Sequence, residues 1–201
     1  MEDNIQIGLF FSRKHIFDPL TMANNFKEKI KSLGEVVLLP VDEKNNNPVI
    51  IFDKGEDIRL VMTFTNIMIT FQNDQDKFFK DSMKKIMEIL KKSEMDITRI
   101  GYINNKVLGT KEADLFKNNA FDNNEILESD EFQLSYYKKD KIDKLNINCW
   151  KRYFTDYEKF IVSFDINTLI DEQHDINYKF VLDFVDKSQE YISSKQIVKL
   201  I

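Results

Sequence analysis

Apolar and polar residues alternate near the start of the chain, and this pattern predicts a half-buried strand. The residues of its buried face are Ile5, Ile7, Leu9 and Phe11. The spacing then changes to that of a helix, which Asp18-Pro19 is placed to begin as N-cap and first helical residue. We expect its buried stripe at Leu20, Ala23, Phe26, Ile30 and Leu33. Gly34 is placed to end the helix.

The next apolar runs predict strand regions at residues 35–41, 48–53 and 57–72. In the last of these, the apolar residues alternate as far as Phe64 and then change phase at Thr65-Asn66. Such a change requires a tight hairpin or a bulge, because strand side chains have a period of two. We favour the hairpin, since asparagine tolerates a positive φ angle.

A long amphipathic helix is predicted after the polar residues 73–76. Its apolar stripe consists of Phe79, Met83, Ile86, Met87 and Leu90. Its other side carries Lys80, Lys84, Lys85 and Lys91. A strand over residues 99–104 follows, and a short helix is expected over residues 110–119.

The rest of the chain repeats this organisation. Strands are predicted at residues 132–138, 144–154 and 159–166, and a last helix at residues 177–193. Residues expected to face inward from that helix are Tyr178, Val181, Leu182, Val185 and Ile192. Antiparallel-looking strands with a few long helices indicate an α+β fold.

Two similar sheet-plus-helix halves are one reading of this pattern. They would cover residues 1–121 and 132–201, joined by an acidic connecting loop at 122–131. One continuous domain is the other reading, since 201 residues fit either arrangement.

Composition narrows the class of protein. The chain has a net charge of -5, a single cysteine and no apolar run approaching the ~20 residues that cross a bilayer. The first residues lack the pattern of a signal peptide, so we expect a cytoplasmic protein without disulfides and without a membrane partner. Only four of the 29 basic residues are arginine, which disfavours nucleic-acid binding because arginine suits phosphate and guanine recognition.

Short catalytic motifs are absent from the sequence. It contains no phosphate loop, zinc-finger spacing, HExxH, GxSxG or dinucleotide-binding glycines. Cys149 has no base at motif spacing, since the only histidines are His15 and His174. We therefore predict no catalytic residue, no cofactor-binding residue and no cofactor.

One polar cluster near the end of the chain offers metal-ligand chemistry. Its candidate ligands are Asp165, Asp171, His174 and Asp175, within eleven residues. A calcium loop of the EF-hand type does not fit, because its sixth and twelfth positions would be Ile170 and Ile176. A solvated connection before the last helix is the simpler interpretation.

Two surface features are also compatible with binding. The helix carrying Lys84, Lys85 and Lys91 has a basic side, which we interpret as a solvated face before a nucleic-acid contact. The chain holds 17 Phe and seven Tyr, most of them at predicted core positions. The aromatic residues that do not fit the core pattern are Phe10, Tyr153, Tyr157 and Tyr191, and such residues can anchor a partner.

Two strand motifs resemble a known family. Arg99-Ile100-Gly101-Tyr102-Ile103-Asn104 resembles the Arg-Ile-Gly-aromatic-Ile-Asn strand of a sporadically distributed, uncharacterised family of bacterial and archaeal proteins. Phe164-Asp165-Ile166 is similar to that family's apolar-Asp-Ile-Asp strand, with Asn167 in place of the second Asp. The resemblance implies an α+β protein of unassigned activity, from a family often scattered as though carried by mobile elements. It transfers no catalytic residue.

The leading hypothesis is a non-enzymatic protein that binds a protein partner, encoded by a phage, prophage or defence island. It would act there as an inhibitor, an immunity protein or an accessory factor. The sequence leaves open whether the protein forms a homo-oligomer. The alternative is a divalent-metal-dependent hydrolase or nuclease that uses the Asp165, Asp171, His174 and Asp175 cluster. A third hypothesis is nucleic-acid binding through the lysine-rich helix.

Overall fold

The computed structural model describes residues 4–12, 16–41, 47–53, 58–71, 76–120, 132–156 and 159–194, which form nine strands and four helices. The strands are β1 (Asn4–Phe11), β2 (Glu35–Leu38), β3 (Ile50–Asp53), β4 (Ile58–Met62), β5 (Asn66–Phe71), β6 (Ile97–Leu108), β7 (Gln133–Ile142), β8 (Leu145–Asp156) and β9 (Lys159–Thr168). The helices are α1 (Pro19–Lys29), α2 (Asp76–Lys92), α3 (Thr110–Ala120) and α4 (Tyr178–Ser194).

The nine strands form a single antiparallel sheet in the order β2-β3-β4-β5-β1-β6-β9-β8-β7. This confirms the predicted α+β class. The first strand lies inside the sheet, between β5 and β6. Strand β6 in turn pairs with β9, so strands from both parts of the chain belong to the same sheet.

The predicted hairpin joins β4 and β5. The Oγ1 atom of Thr63 accepts hydrogen bonds from the backbone N–H groups of Thr65 (3.0 Å) and Asn66 (3.1 Å). The reason given for the hairpin was wrong, because Asn66 has no positive φ angle. A threonine hydroxyl closes this turn by a local side-chain hydrogen bond instead.

Helix α1 begins as expected and ends earlier than expected. Oδ2 of Asp18 accepts a hydrogen bond from the N–H of Thr21 at 2.8 Å, and hydrogen bonds from Thr21 lower the pKa of Asp18. The helix is capped at Ile30, and Gly34 has no positive φ angle, so the prediction that Gly34 ends the helix was wrong. Leu20 is exposed rather than part of the buried stripe.

All four helices pack on the same face of the sheet, which we call the helix face. Strand residues of this face meet α1, α2 and α3 through the ring pairs Phe26–Phe52, Phe71–Phe79 and Phe116–Tyr153. Helix α4 buries Val181, Phe184 and Val185 against the same core. No described helix covers the other face, which we call the outer face. No helix in the described ranges is long and apolar enough to cross a membrane.

Candidate functional site

The outer face carries a patch of aromatic, arginine and amide side chains. The strand registers place these residues on one side, because partners in a ladder point to the same face. The outer-face patch consists of Phe10, Arg99, Asp165, Asn167, Asn148, Trp150, Arg152 and Tyr137. Both family-like motifs contribute to it, through Arg99 on β6 and through Asp165 and Asn167 on β9.

Two glycines make room for the β1 end of the patch. Gly8 and Gly101 are direct partners in the β1–β6 ladder. A Cβ atom on Gly8 would lie 2.9 Å from Sδ of Met68 and 3.0 Å from Cε2 of Phe10, so any larger residue would require these side chains to shift. The guanidinium carbon of Arg99 lies 3.8 Å from the centre of the Phe10 ring, which is a cation–π contact. Burial lowers the pKa of Arg99, and the charge of Asp165 acts in the opposite direction.

Asp165 is the anionic centre of the patch. Its Oδ2 atom lies 3.3 Å from Nη2 of Arg152, and its Oδ1 atom accepts a 2.6 Å hydrogen bond from Nδ2 of Asn167. The carboxylate is therefore held on both oxygens by side chains of β8 and β9. This ion pair favours one direction of the Arg152 guanidinium, which is about half exposed.

An exposed aromatic pair lies beside this ion pair. The ring centres of Tyr137 and Trp150 are 5.0 Å apart, and the two side chains are 43% and 40% exposed. The hydroxyl of Tyr137 donates a hydrogen bond to Oδ1 of Asn148. The pair presents a large apolar surface that is already oriented by its neighbours. Tyrosine, tryptophan and arginine are the residues most enriched where binding energy concentrates in protein interfaces.

Around β8 and β9, the exposed part of the outer face is limited in extent. Ile161 and Ser163 belong to the same face and are buried. Lys139 and Lys141 follow at its margin on β7. The accessible region therefore centres on Trp150 and Arg152.

The four predicted metal ligands do not converge. Asp165 lies on the outer face, whereas the ring of His174 stacks on Phe180 of α4 on the helix face. Asp171 is exposed, and Asp175 accepts a 3.1 Å hydrogen bond from Nδ2 of Asn177. Among the described residues, no three His, Cys, Asp or Glu side chains are close enough to hold a metal ion.

The structure also describes Cys149 and the lysine-rich side of α2. Cys149 lies on the helix face of β8 and is buried, and this burial raises the pKa of its thiol. A buried thiol with a raised pKa is a poor nucleophile. On α2, Lys84 and Lys91 are exposed, and Lys85 forms a 2.6 Å ion pair with Asp81 one turn away.

A polar network and a cleft lie near α4 on the helix face. Oδ2 of Asp140 accepts a 2.7 Å hydrogen bond from the Tyr191 hydroxyl and lies 2.8 Å from Nζ of Lys138. A cleft of about 720 Å³ opens between α4 and the tip of the β7–β8 hairpin. Lys187 lines this cleft, and its Nζ atom lies 3.1 Å from Oδ2 of Asp143 and 2.9 Å from Oδ2 of Asp183.

The sequence pattern identified the strands of the patch but not the patch itself. Of the four aromatic residues set apart, Tyr153 is fully buried, Phe10 and Tyr191 are half-buried, and Tyr157 lies outside the described residues. Trp150 and Tyr137 were the informative aromatics. Their side chains point to the outer face, whereas alternate residues on the opposite face of the sheet contribute to the core. This alternation was the sequence signal that could have identified them.

No protein-family model matches the chain, and no curated protein matches it at a significant level.

Proposed function

We propose that this chain is a non-enzymatic cytosolic binding protein whose outer-face patch engages a protein partner. The observation that carries the proposal is the exposed Tyr137–Trp150 pair beside the guanidinium of Arg152, which is paired with Asp165. Rigid aromatic side chains supply contact area at a low cost in conformational entropy. An oriented arginine adds directional hydrogen bonds.

The charge balance of the patch favours a protein over a nucleic acid. Two arginines are opposed by Asp165, which is bound to one of them and acts electrostatically on the other. The aromatic rings are tilted by 48° to each other rather than displayed as parallel stacking platforms. A single-strand-binding face would instead carry a strong surplus of positive charge along the path of the backbone. Lys139 and Lys141 at the margin make salt-dependent nucleic-acid binding the competing outcome.

The family-like strands support a biological setting for this partner. Both motifs contribute residues to the patch, and the family they resemble is scattered as though carried by mobile elements. We therefore expect the partner among proteins of a phage, a prophage or a defence island, with this chain acting as inhibitor, immunity protein or accessory factor.

The test uses a matched pair of tyrosines. Tyr136 and Tyr137 are adjacent on β7, are 39% and 43% exposed, and point to opposite faces. Tagged wild-type protein and the variants Tyr136→Ala, Tyr137→Ala and Trp150→Ala are isolated from the native host and analysed by native mass spectrometry. We expect one stoichiometric protein partner with the wild type and Tyr136→Ala. Tyr137→Ala and Trp150→Ala should each recover at least about tenfold less of this partner than the wild type.

Other outcomes contradict the proposal in different ways. Retention of the partner by Trp150→Ala would place the interface elsewhere. Recovery of nucleic acid whose binding weakens steeply with salt would favour the competing class. Circular dichroism of each variant separates loss of binding from loss of folding.

A further inference from the structure

Strand β2 ends the sheet and carries an unusual run of apolar residues for an edge. No described strand pairs with the edge of β2 that points away from β3. Val37 is 46% exposed, Leu38 is also exposed, and Val41 just beyond the strand is 48% exposed. A free strand edge offers unpaired backbone N–H and C=O groups to another chain.

The register shows which backbone groups point outward. The N–H of Leu39 donates a 3.1 Å hydrogen bond to the carbonyl of Val49, so these residues occupy the position of a hydrogen-bonded pair, although the N–H of Val49 donates to Met62 instead. Such pairs alternate along an antiparallel ladder, which makes Val37 and Ile51 the next one. The backbone groups of Val36 and Leu38 therefore face away from β3.

The two ends of the sheet differ in their protection. The opposite edge strand, β7, carries Lys138, Lys139 and Lys141, and lysine on an edge discourages strand pairing. Strand β2 has a single charged residue, Glu35, at its first position. Of the two edges of the sheet that the described strands form, the β2 edge is the one suited to accept a further strand.

We infer that β2 pairs with β2 of a second copy of this chain, antiparallel and centred on Val37. In that register the outward groups of Val36 meet those of Leu38 in the other copy, and Val37 faces its own counterpart. The two Glu35 residues lie at opposite ends, about 14 Å apart along the strands, so the only charges of the strand do not repel closely. The edge is thus complementary to itself in hydrogen bonds and in apolar contact, and the pairing keeps its like charges apart.

This pairing has a geometric consequence. The twofold axis of an antiparallel strand pair is perpendicular to the sheet, so both outer faces point the same way. The dimer would present two outer-face patches on one continuous sheet, which suits a partner with repeated sites. The pairing itself does not depend on the proposed partner.

Disulfide trapping tests the register directly. Val37 would sit opposite itself in a non-hydrogen-bonded pair, where Cα atoms are about 4.5 Å apart, within the range of a disulfide. Val41 is equally exposed, but its two copies would lie about 27 Å apart. Under mild oxidation, Val37→Cys should form covalent dimers at least about tenfold faster than Val41→Cys. Equal rates for the two variants would overturn the inference.

A second measurement leaves Val37 unchanged. Proline at position 38 removes only an outward N–H, because the N–H of Leu38 does not bond to β3. Analytical ultracentrifugation up to about 1 mM should show a monomer–dimer equilibrium for the wild type, weakened about tenfold or more in Leu38→Pro. Trp150→Ala should dimerise like the wild type, which separates this surface from the outer-face patch. A wild type that stays monomeric, or a dimer that Leu38→Pro leaves unchanged, would contradict the proposed pairing.

Discussion

Gly101 of β6 stands directly opposite Asn167 of β9, and the side-chain amide of Asn167 occupies the space that a side chain at Gly101 would need. A Cβ atom on Gly101 would lie 2.5 Å from Oδ1 of Asn167. The amide in this position donates to Asp165, which in turn holds Arg152. The missing side chain of Gly101 therefore determines how the centre of the outer-face patch is arranged.

We expect Gly101→Ala to displace the Asn167 amide and break its hydrogen bond to Asp165. The substitution should lower the free energy of unfolding by about 1 kcal/mol, because the lost contact exceeds the gain from replacing a strand glycine. Urea unfolding measures the change. It should also weaken partner capture by the outer-face patch.

The control for this prediction is a double-mutant cycle with Asn167→Ala. In that background the obstructing amide is absent, so Gly101→Ala should be neutral or slightly stabilising. Equal effects of Gly101→Ala in both backgrounds would show that the two residues are not coupled.

Asp140 joins β7 to α4 and should give the protein a characteristic acid sensitivity. The hydrogen bond with Lys138, reinforced by that from Tyr191, holds the pKa of Asp140 well below its ordinary range. A carboxylate with a lowered folded-state pKa contributes stability that is fully present above its unfolded pKa of about 4 and is lost as the pH falls toward the folded value. Asp140→Asn should therefore destabilise the protein at pH 7 by about 1 kcal/mol, because solvent screens the ion pair with the exposed Lys138, and its difference from the wild type should shrink below about pH 4.

Urea unfolding at several pH values tests this behaviour. The exposed Asp171 provides the control, and Asp171→Asn should follow the wild-type profile throughout. A constant difference between Asp140→Asn and the wild type from neutral to acid pH would mean that the ionised carboxylate is not what stabilises the fold.

Local pattern predicted most of the elements because each depends on neighbours in sequence. The helix at residues 110–119 appears as α3, and the phase change at Thr65-Asn66 marks the hairpin. The place of β1 between β5 and β6 was not predictable in this way. The position of β1 depends on partners some 60 to 100 residues away in sequence. A period-two pattern shows which side chains share a face, but it does not show which strand lies beside them.

The candidate site was out of reach for a related reason. Nothing in the sequence linked Arg99 with Asp165, and only the pairing of β6 with β9 places them on one face. Sequence proximity suggested instead that Asp165 and His174 act together. The sheet separates them, because Asp165 is on β9 and His174 follows the strand toward α4.

This separation leads to a prediction for divalent metals. Mn²⁺, Mg²⁺ or Zn²⁺ should give no binding heat and no rise in Tm, whereas a site filled at 100 times its Kd would stabilise the fold by about 2.7 kcal/mol. The experiment uses protein first treated with a chelator. A rise in Tm that disappears in both Asp165→Asn and His174→Ala would restore the metal-dependent hydrolase as the better hypothesis.

Phe116 should be the residue that holds α3 on the sheet. It is fully buried, stacks on Tyr153 with ring centres 4.0 Å apart, and also contacts the ring of Phe160. Phe116→Ala removes these contacts and leaves a cavity, so the free energy of unfolding should fall by about 3–5 kcal/mol. The neighbouring Leu115 is 53% exposed, and Leu115→Ala should change it by less than about 0.5 kcal/mol. Similar losses for the two variants in urea unfolding would mean that α3 is held by its helix propensity rather than by this aromatic contact.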